Sequence, residues 1–168
     1  MDRRKWQEIT LSKPDKLARL AKAPWAENLT PRELAALSDL FFVCRVKRGD
    51  PVYQEGDKEA FMCLIVEGEI EIQKGCESQQ TMLLSTLGPG ETVGEMAIID
   101  GGERSASAVA ATDSTLFVLS RLNLRQLIHE NRQLWNKFLL AMATLLSMRL
   151  RATNNLLLEY GTTPEPHA

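Results

Sequence analysis

Glu95 and Arg104 stand in the stretch of this chain whose residue types and spacing most readily support chemistry, residues 90–111. It contains Gly94-Glu95-Met96-Ala97 and, beyond Gly101-Gly102, Arg104-Ser105-Ala106. The order reads as a strand end, a tight glycine turn, one short helical turn over Met96 to Ile99, a second glycine turn and a step into another strand. That order suits a phosphate. Gly94 lets backbone approach an anion with no Cβ in the way, and the unpaired N–H groups of the helical turn point back towards it. A guanidinium at Arg104 offers a planar fork to two phosphate oxygens, whereas the carboxylate of Glu95 is better matched to sugar hydroxyls. With no ligand between them, Glu95 and Arg104 are expected to neutralise each other.

The elements that must position these groups follow from periodicity. Lys16-Leu-Ala-Arg-Leu-Ala-Lys22 reads as a short amphipathic helix between Pro14 and Pro24, its cations a solvated face. Thr30-Pro31-Arg32-Glu33 gives an N-cap, a proline at the first helical position and an acid in the first turn, opening a helix to about Leu37 or Asp39. From Phe41 to Leu119 the spacing becomes that of strands. Glu67 to Gln73 alternates wet and apolar positions, while Phe61 to Val66 is apolar throughout and should be covered on both faces. Turn signals recur at Gly49, Gly56, Gly68, Lys74-Gly75 and Gly88-Pro-Gly90, and short strands so spaced indicate a sandwich or barrel.

Helical spacing returns after Ser120, which can cap a helix over Arg121 to Glu130, and Asn131 can cap a second over residues 132–160. Gly161 is expected to stop that helix in a left-handed conformation. At 1.5 Å per residue it would span about 43 Å, so part of it must project or meet something else. Its apolar residues occupy more than one face, and a homodimer through the helix is expected, with Phe138 and Leu145 on the partner side.

Composition narrows the function. The 168 residues suffice for one ordinary domain with an appendage. A net charge of −2 with scattered basic residues argues against DNA binding through phosphate contacts. Cys44, Cys63 and Cys76 form no Cys-x-x-Cys pair and read as reduced thiols of a cytoplasmic protein. No signal peptide or membrane-crossing apolar run is apparent. The only histidines, His129 and His167, fall on a helix and in the tail, so a metal site of the cupin kind lacks ligands. No Gly-x-Ser-x-Gly elbow or Gly-x-x-x-x-Gly-Lys loop occurs, and neither catalysis nor a metal nor a cofactor is expected.

The run Gly94-Glu95-Met96-Ala97, followed after six residues by Arg104-Ser105-Ala106, resembles the phosphate-binding cassette of cyclic nucleotide-binding domains. These occur in catabolite activators, regulatory subunits of cyclic AMP-dependent kinase and cyclic nucleotide-gated channels. More weakly, the resemblance extends from about Leu37 to the end of the final helix.

It implies a mainly β fold with flanking α, a jelly-roll or double-stranded β-helix β-roll with N-terminal helices and a long C-terminal helix. The expected layout is a helical segment 1–39, a nucleotide-binding roll 40–131 with its cassette at 90–111, a capping and dimerisation helix 132–160 and a tail 161–168. The resemblance places Arg104 on the cyclic phosphate, Glu95 on the ribose 2′-hydroxyl and Ser105 beside the phosphate. Val93, Leu84 and Leu87 are expected to flank base or sugar. A residue of the long helix caps the purine in such proteins, and Arg149, Thr153 and Asn154 are in the right neighbourhood. The function implied is a stand-alone sensor of cyclic AMP, or else cyclic GMP, acting through its own dimer or an unknown downstream protein, without a DNA-reading helix-turn-helix domain. The rival reading is a related interaction module whose pocket holds no ligand.

Overall fold

The computed structural model describes residues 6–76 and 80–161. A strand β1 (Gln7–Ile9) is followed by α1 (Lys13–Leu20), a 3-10 turn (Pro24–Ala26) and α2 (Pro31–Ser38). Then come β2 (Phe41–Val46), β3 (Pro51–Tyr53), β4 (Phe61–Glu67), β5 (Ile70–Gly75), β6 (Thr81–Leu87) and β7 (Thr92–Val93). The short helix α3 (Glu95–Asp100) leads to β8 (Ser107–Ala110) and β9 (Ser114–Ser120), and α4 (Arg121–Glu130) and α5 (Arg132–Gly161) complete the order.

The strands form two antiparallel sheets, β1-β2-β9-β4-β7 and β3-β8-β5-β6, which make the expected β-roll. The first sheet is covered on both sides. Phe61, Cys63 and Ile65 of β4 point into the core between the sheets, and Met62 and Leu64 into a second core under the helices. β9 alternates in the same way, with Leu116 and Val118 inward and Phe117 and Leu119 towards the helices. This explains the unbroken apolar run of Phe61 to Val66: alternation is present, but each face meets a different apolar layer.

The helix starts follow the capping chemistry. The Thr30 hydroxyl accepts from Glu33 N at 3.3 Å while Glu33 Oε2 accepts from Thr30 N at 2.9 Å, a complete capping box. Ser120 Oγ accepts from Asn123 N at 3.2 Å to cap α4, and Asn131 Oδ1 accepts from Leu134 N at 3.0 Å to open α5.

Four expectations need correction. The N-terminal segment is not purely helical: β1 pairs with β2, Ile9 opposite Val43, which three residues with little apolar signal did not announce. Gly161 is the last residue of α5 rather than a left-handed stop, and the tail beyond it lies outside the described residues. Phe138 is 1% exposed and belongs with Leu134 and Met142 in the core under the helices, where Trp25 meets it edge-on at 5.8 Å. Leu145, three residues beyond Met142, packs partly against the same core. The apolar residues of α5 that remain bare include Leu140, Met148 and Leu150 instead. Among the described residues no helix is long and apolar enough to cross a membrane.

Candidate functional site

The cassette is built around two left-handed glycines. Gly94, at φ 81°, precedes α3, and Gly101, at φ 75°, ends it with its N–H on Ala97 O at 3.0 Å. At Gly94 the freedom is obligatory twice over. A Cβ there would lie 2.4 Å from Arg104 Nη1 and 2.8 Å from the carbonyl of Phe61, so only glycine lets the guanidinium reach this turn.

Arg104 is tied at its backbone to the β3–β4 connection: its N–H donates to Asp57 O at 2.9 Å and its carbonyl accepts from Gly56 N at 2.9 Å. From there the side chain runs inward and is only 3% exposed. Nη1 donates to Gly94 O at 3.0 Å, and Cζ lies 4.0 Å from the Tyr53 ring centroid and 4.3 Å from that of Phe61. Its Nε and Nη2 are buried with no hydrogen-bond partner in the protein. These two N–H groups share one edge of the planar guanidinium, so the side chain holds a complete two-donor fork in reserve. Burial draws the Arg104 pKa down, opposed chiefly by the neighbouring Tyr53 phenol.

Glu95 is 4% exposed at the start of α3. Burial raises its pKa, against the opposing pull of the Arg149 charge. The expected neutralisation by Arg104 does not occur. Arg149 of α5 donates Nη1 to Glu95 Oε1 instead, and its Nη2 donates to Thr92 O at 2.7 Å. Arg104 is engaged with Gly94 O and the two rings, and the carboxylate is met by Arg149 from α5. Glu95 Oε2 and the hydroxyl of Thr92, both buried, have no partner.

The remaining expected residues divide. Ala97 and Ala106 are buried at the cassette, while Met96 and Ser105 are exposed, the Ser105 hydroxyl 3.9 Å from Met96 Sδ. Val93 is buried in the core between the sheets, opposite Cys63, and Leu87 packs partly against that core. Leu84 lies on the exposed strand β6, 51% exposed. Thr153, one turn beyond Arg149 on the same face of α5, is exposed and returns its hydroxyl to Arg149 O at 3.0 Å. Asn154 is exposed beside it. Of the helix residues, only Arg149 reaches the cassette through the contacts described. Tyr53 and Phe61 were missed in the sequence: both precede the cassette and sit in runs that read simply as core strand.

Chemically, the site joins an anion-directed fork, a buried carboxylate with one free oxygen, and a cationic arm from a long helix. Residues 43–131 match the family model described as cyclic nucleotide-binding domain. The chain is 33% identical over 129 residues to the Cyclic AMP receptor protein of Thermus thermophilus, covering 77% of this chain and 58% of that protein. It is 29% identical over 147 residues to the CRP-like cAMP-activated global transcriptional regulator of Mycobacterium tuberculosis, covering 88% and 64%. The chain thus spans less than two thirds of the length of these curated relatives. Its fold matches the crystal structure of a cyclic nucleotide-binding domain from Methylobacillus flagellatus with a TM-score of 0.87 at 24% identity, over 99% of this chain and 96% of that one. The pattern first seen around Gly94 and Arg104 therefore sits inside a matching fold, and the chain belongs to the cyclic nucleotide-binding domain family.

Proposed function

We propose that the chain is a non-catalytic sensor of a cyclic nucleotide, cyclic AMP ahead of cyclic GMP, whose output is the position of α5. The observation that carries this reading is the buried, partnerless Nε and Nη2 edge of Arg104. A desolvated cation with two unmet donors is costly, and two oxygens of a cyclic phosphate would meet both at once. Glu95 Oε2 is the remaining acceptor for a ribose hydroxyl, and Ser105 with the N–H groups of Met96 and Ala97 completes the phosphate cradle. Val93, Leu84 and Leu87 flank base or sugar in this reading, and Thr153 and Asn154 on α5 supply its polar contacts to the base. Cyclic AMP is put first because the two relatives named above carry it in their names.

Arg149 couples the site to the helix. Any ligand that draws on Glu95 changes the balance holding α5 against the cassette, and it shifts α5 by its differential affinity for the two arrangements. The downstream element is a second copy through the bare apolar residues of α5 or another protein.

One observation favours the rival reading of a module whose site is satisfied internally: Arg149 already occupies Glu95 Oε1. It leaves Oε2 and the Arg104 fork unmet, and the sensor reading accounts for both. Calorimetric titration with cyclic AMP, cyclic GMP and 5′-AMP separates the two. The sensor binds a cyclic form in preference to the linear one, and absence of heat and of any thermal shift at millimolar cyclic nucleotide establishes the module.

A further inference from the structure

The Arg104 guanidinium lies in an angle formed by two rings that belong to neither the cassette nor α5. Tyr53 ends β3 and Phe61 begins β4, their centroids 6.0 Å apart and their planes at 73°. With Cζ at 4.0 and 4.3 Å from those centroids, the three points make a near right angle at the cation. The corner is itself braced. Trp6 meets Phe61 edge-on at 5.6 Å and 86°, and its indole N–H reaches Pro51 O at 3.4 Å.

A single hydrogen bond, Nη1 to Gly94 O, would leave the end of a long side chain free to swing about that contact. Two ring walls close off two of the directions it could take. They also offer the negative faces of their π systems to a cation stripped of water, an attraction that grows on desolvation. The Nε and Nη2 edge, also buried, meets no hydrogen-bond acceptor of the protein.

We propose that Tyr53 and Phe61 are positioning residues for anion binding, an aromatic corner that holds the Arg104 fork in its binding orientation before ligand arrives. The inference rests on the reading of Arg104 as the phosphate ligand. Apparent affinity scales with the fraction of molecules in the competent orientation, so the corner acts by keeping that fraction near unity. Its contribution is invisible in the cassette motif, because both rings lie upstream of it.

The test uses the full chain with Phe61 replaced by a trifluorinated phenylalanine, which keeps the outline of the ring and cancels its negative face, and with the pair Tyr53→Leu and Tyr53→Phe. Each protein is titrated calorimetrically with cyclic AMP and cyclic GMP and its thermal unfolding is recorded. The expected result is an affinity loss of about three- to tenfold for the fluorinated protein at an unaltered melting temperature, a similar loss for Tyr53→Leu, and recovery of most of it in Tyr53→Phe. If the wild type binds and the fluorinated protein binds equally well, the corner has no positioning role. If the wild type binds neither nucleotide, the reading of Arg104 itself falls, and the corner's role with it.

Discussion

Arg149 of the long helix, and not Arg104 of the cassette, holds the buried carboxylate of Glu95. The pair joins residues 54 positions apart and makes α5 a direct partner of the cassette carboxylate. Arg149→Ala should cost about 1–2 kcal/mol in urea unfolding, a figure held down because Arg149 is about a third exposed while Glu95 is buried. It should also raise hydrogen exchange in the part of α5 beyond position 149. The pH dependence has a definite sign. Glu95 has a raised folded pKa, so its contribution to stability is fully present below the unfolded value and is lost as pH rises through the folded one. Without Arg149 the carboxylate loses its opposing charge, and that loss on raising the pH becomes steeper. Identical stability–pH curves for wild type and variant would contradict the pairing.

The Arg104 fork sets binding against stability. Arg104→Met removes both unmet donors and keeps much of the volume, so thermal stability should hold or rise. Binding of a cyclic nucleotide should weaken by about 2–5 kcal/mol. A variant that melts well below wild type would show that the cation, rather than its packing, supports the fold.

Assembly is tested on the bare apolar residues of α5. Leu140, 69% exposed, and Met148 are the positions to change. Leu140→Glu and Met148→Glu should yield monomers in sedimentation with the melting temperature of wild type. Phe138→Glu, by contrast, places a charge in the core under the helices and should cost about 3–5 kcal/mol, unfolding the protein instead of separating copies. A wild type that sediments as a monomer at high concentration removes the basis for a dimer.

Glu33 links the capping box of α2 to α5, through Lys137 Nζ at 2.9 Å. The Thr30 backbone N–H, with Lys137 and the Thr30 hydroxyl, holds its carboxyl at about 2. A folded pKa lowered in this way contributes stability above the unfolded value, about 4.3 for glutamate, and that stability is lost as pH falls towards about 2. Glu33→Gln should therefore lower the denaturation midpoint at neutral pH and flatten its acid limb. Parallel acid limbs in the two proteins would show that Glu33 carries no such linkage.

Much of the framework was legible because it rests on local chemistry. Thr30 with Glu33, Ser120 and Asn131 each cap a helix through atoms only three residues apart, and such signals survive in any sequence reading. Gly94 was legible for the same reason. The partners of Arg104 and Glu95 were not. Which cation meets Glu95 depends on α5 crossing the cassette, and the arm that crosses belongs to a helix whose register against the roll no local pattern specifies. Tyr53 and Phe61 read as strand apolars because their faces touch a cation only after two separate strands are brought together. Phe138 was assigned to a partner for a related reason. Helical spacing shows that two sides of α5 are apolar, and not which of them meets the roll.

The division of β4 between two apolar layers has a mechanical meaning. A strand whose odd members line the cup and whose even members floor the helical layer is a common wall. A change of volume on one face of β4 therefore falls on a strand against which the other layer also packs. The strand that begins at Phe61, against Arg104, thus also floors the layer in which Leu134, Phe138 and Met142 of α5 are buried.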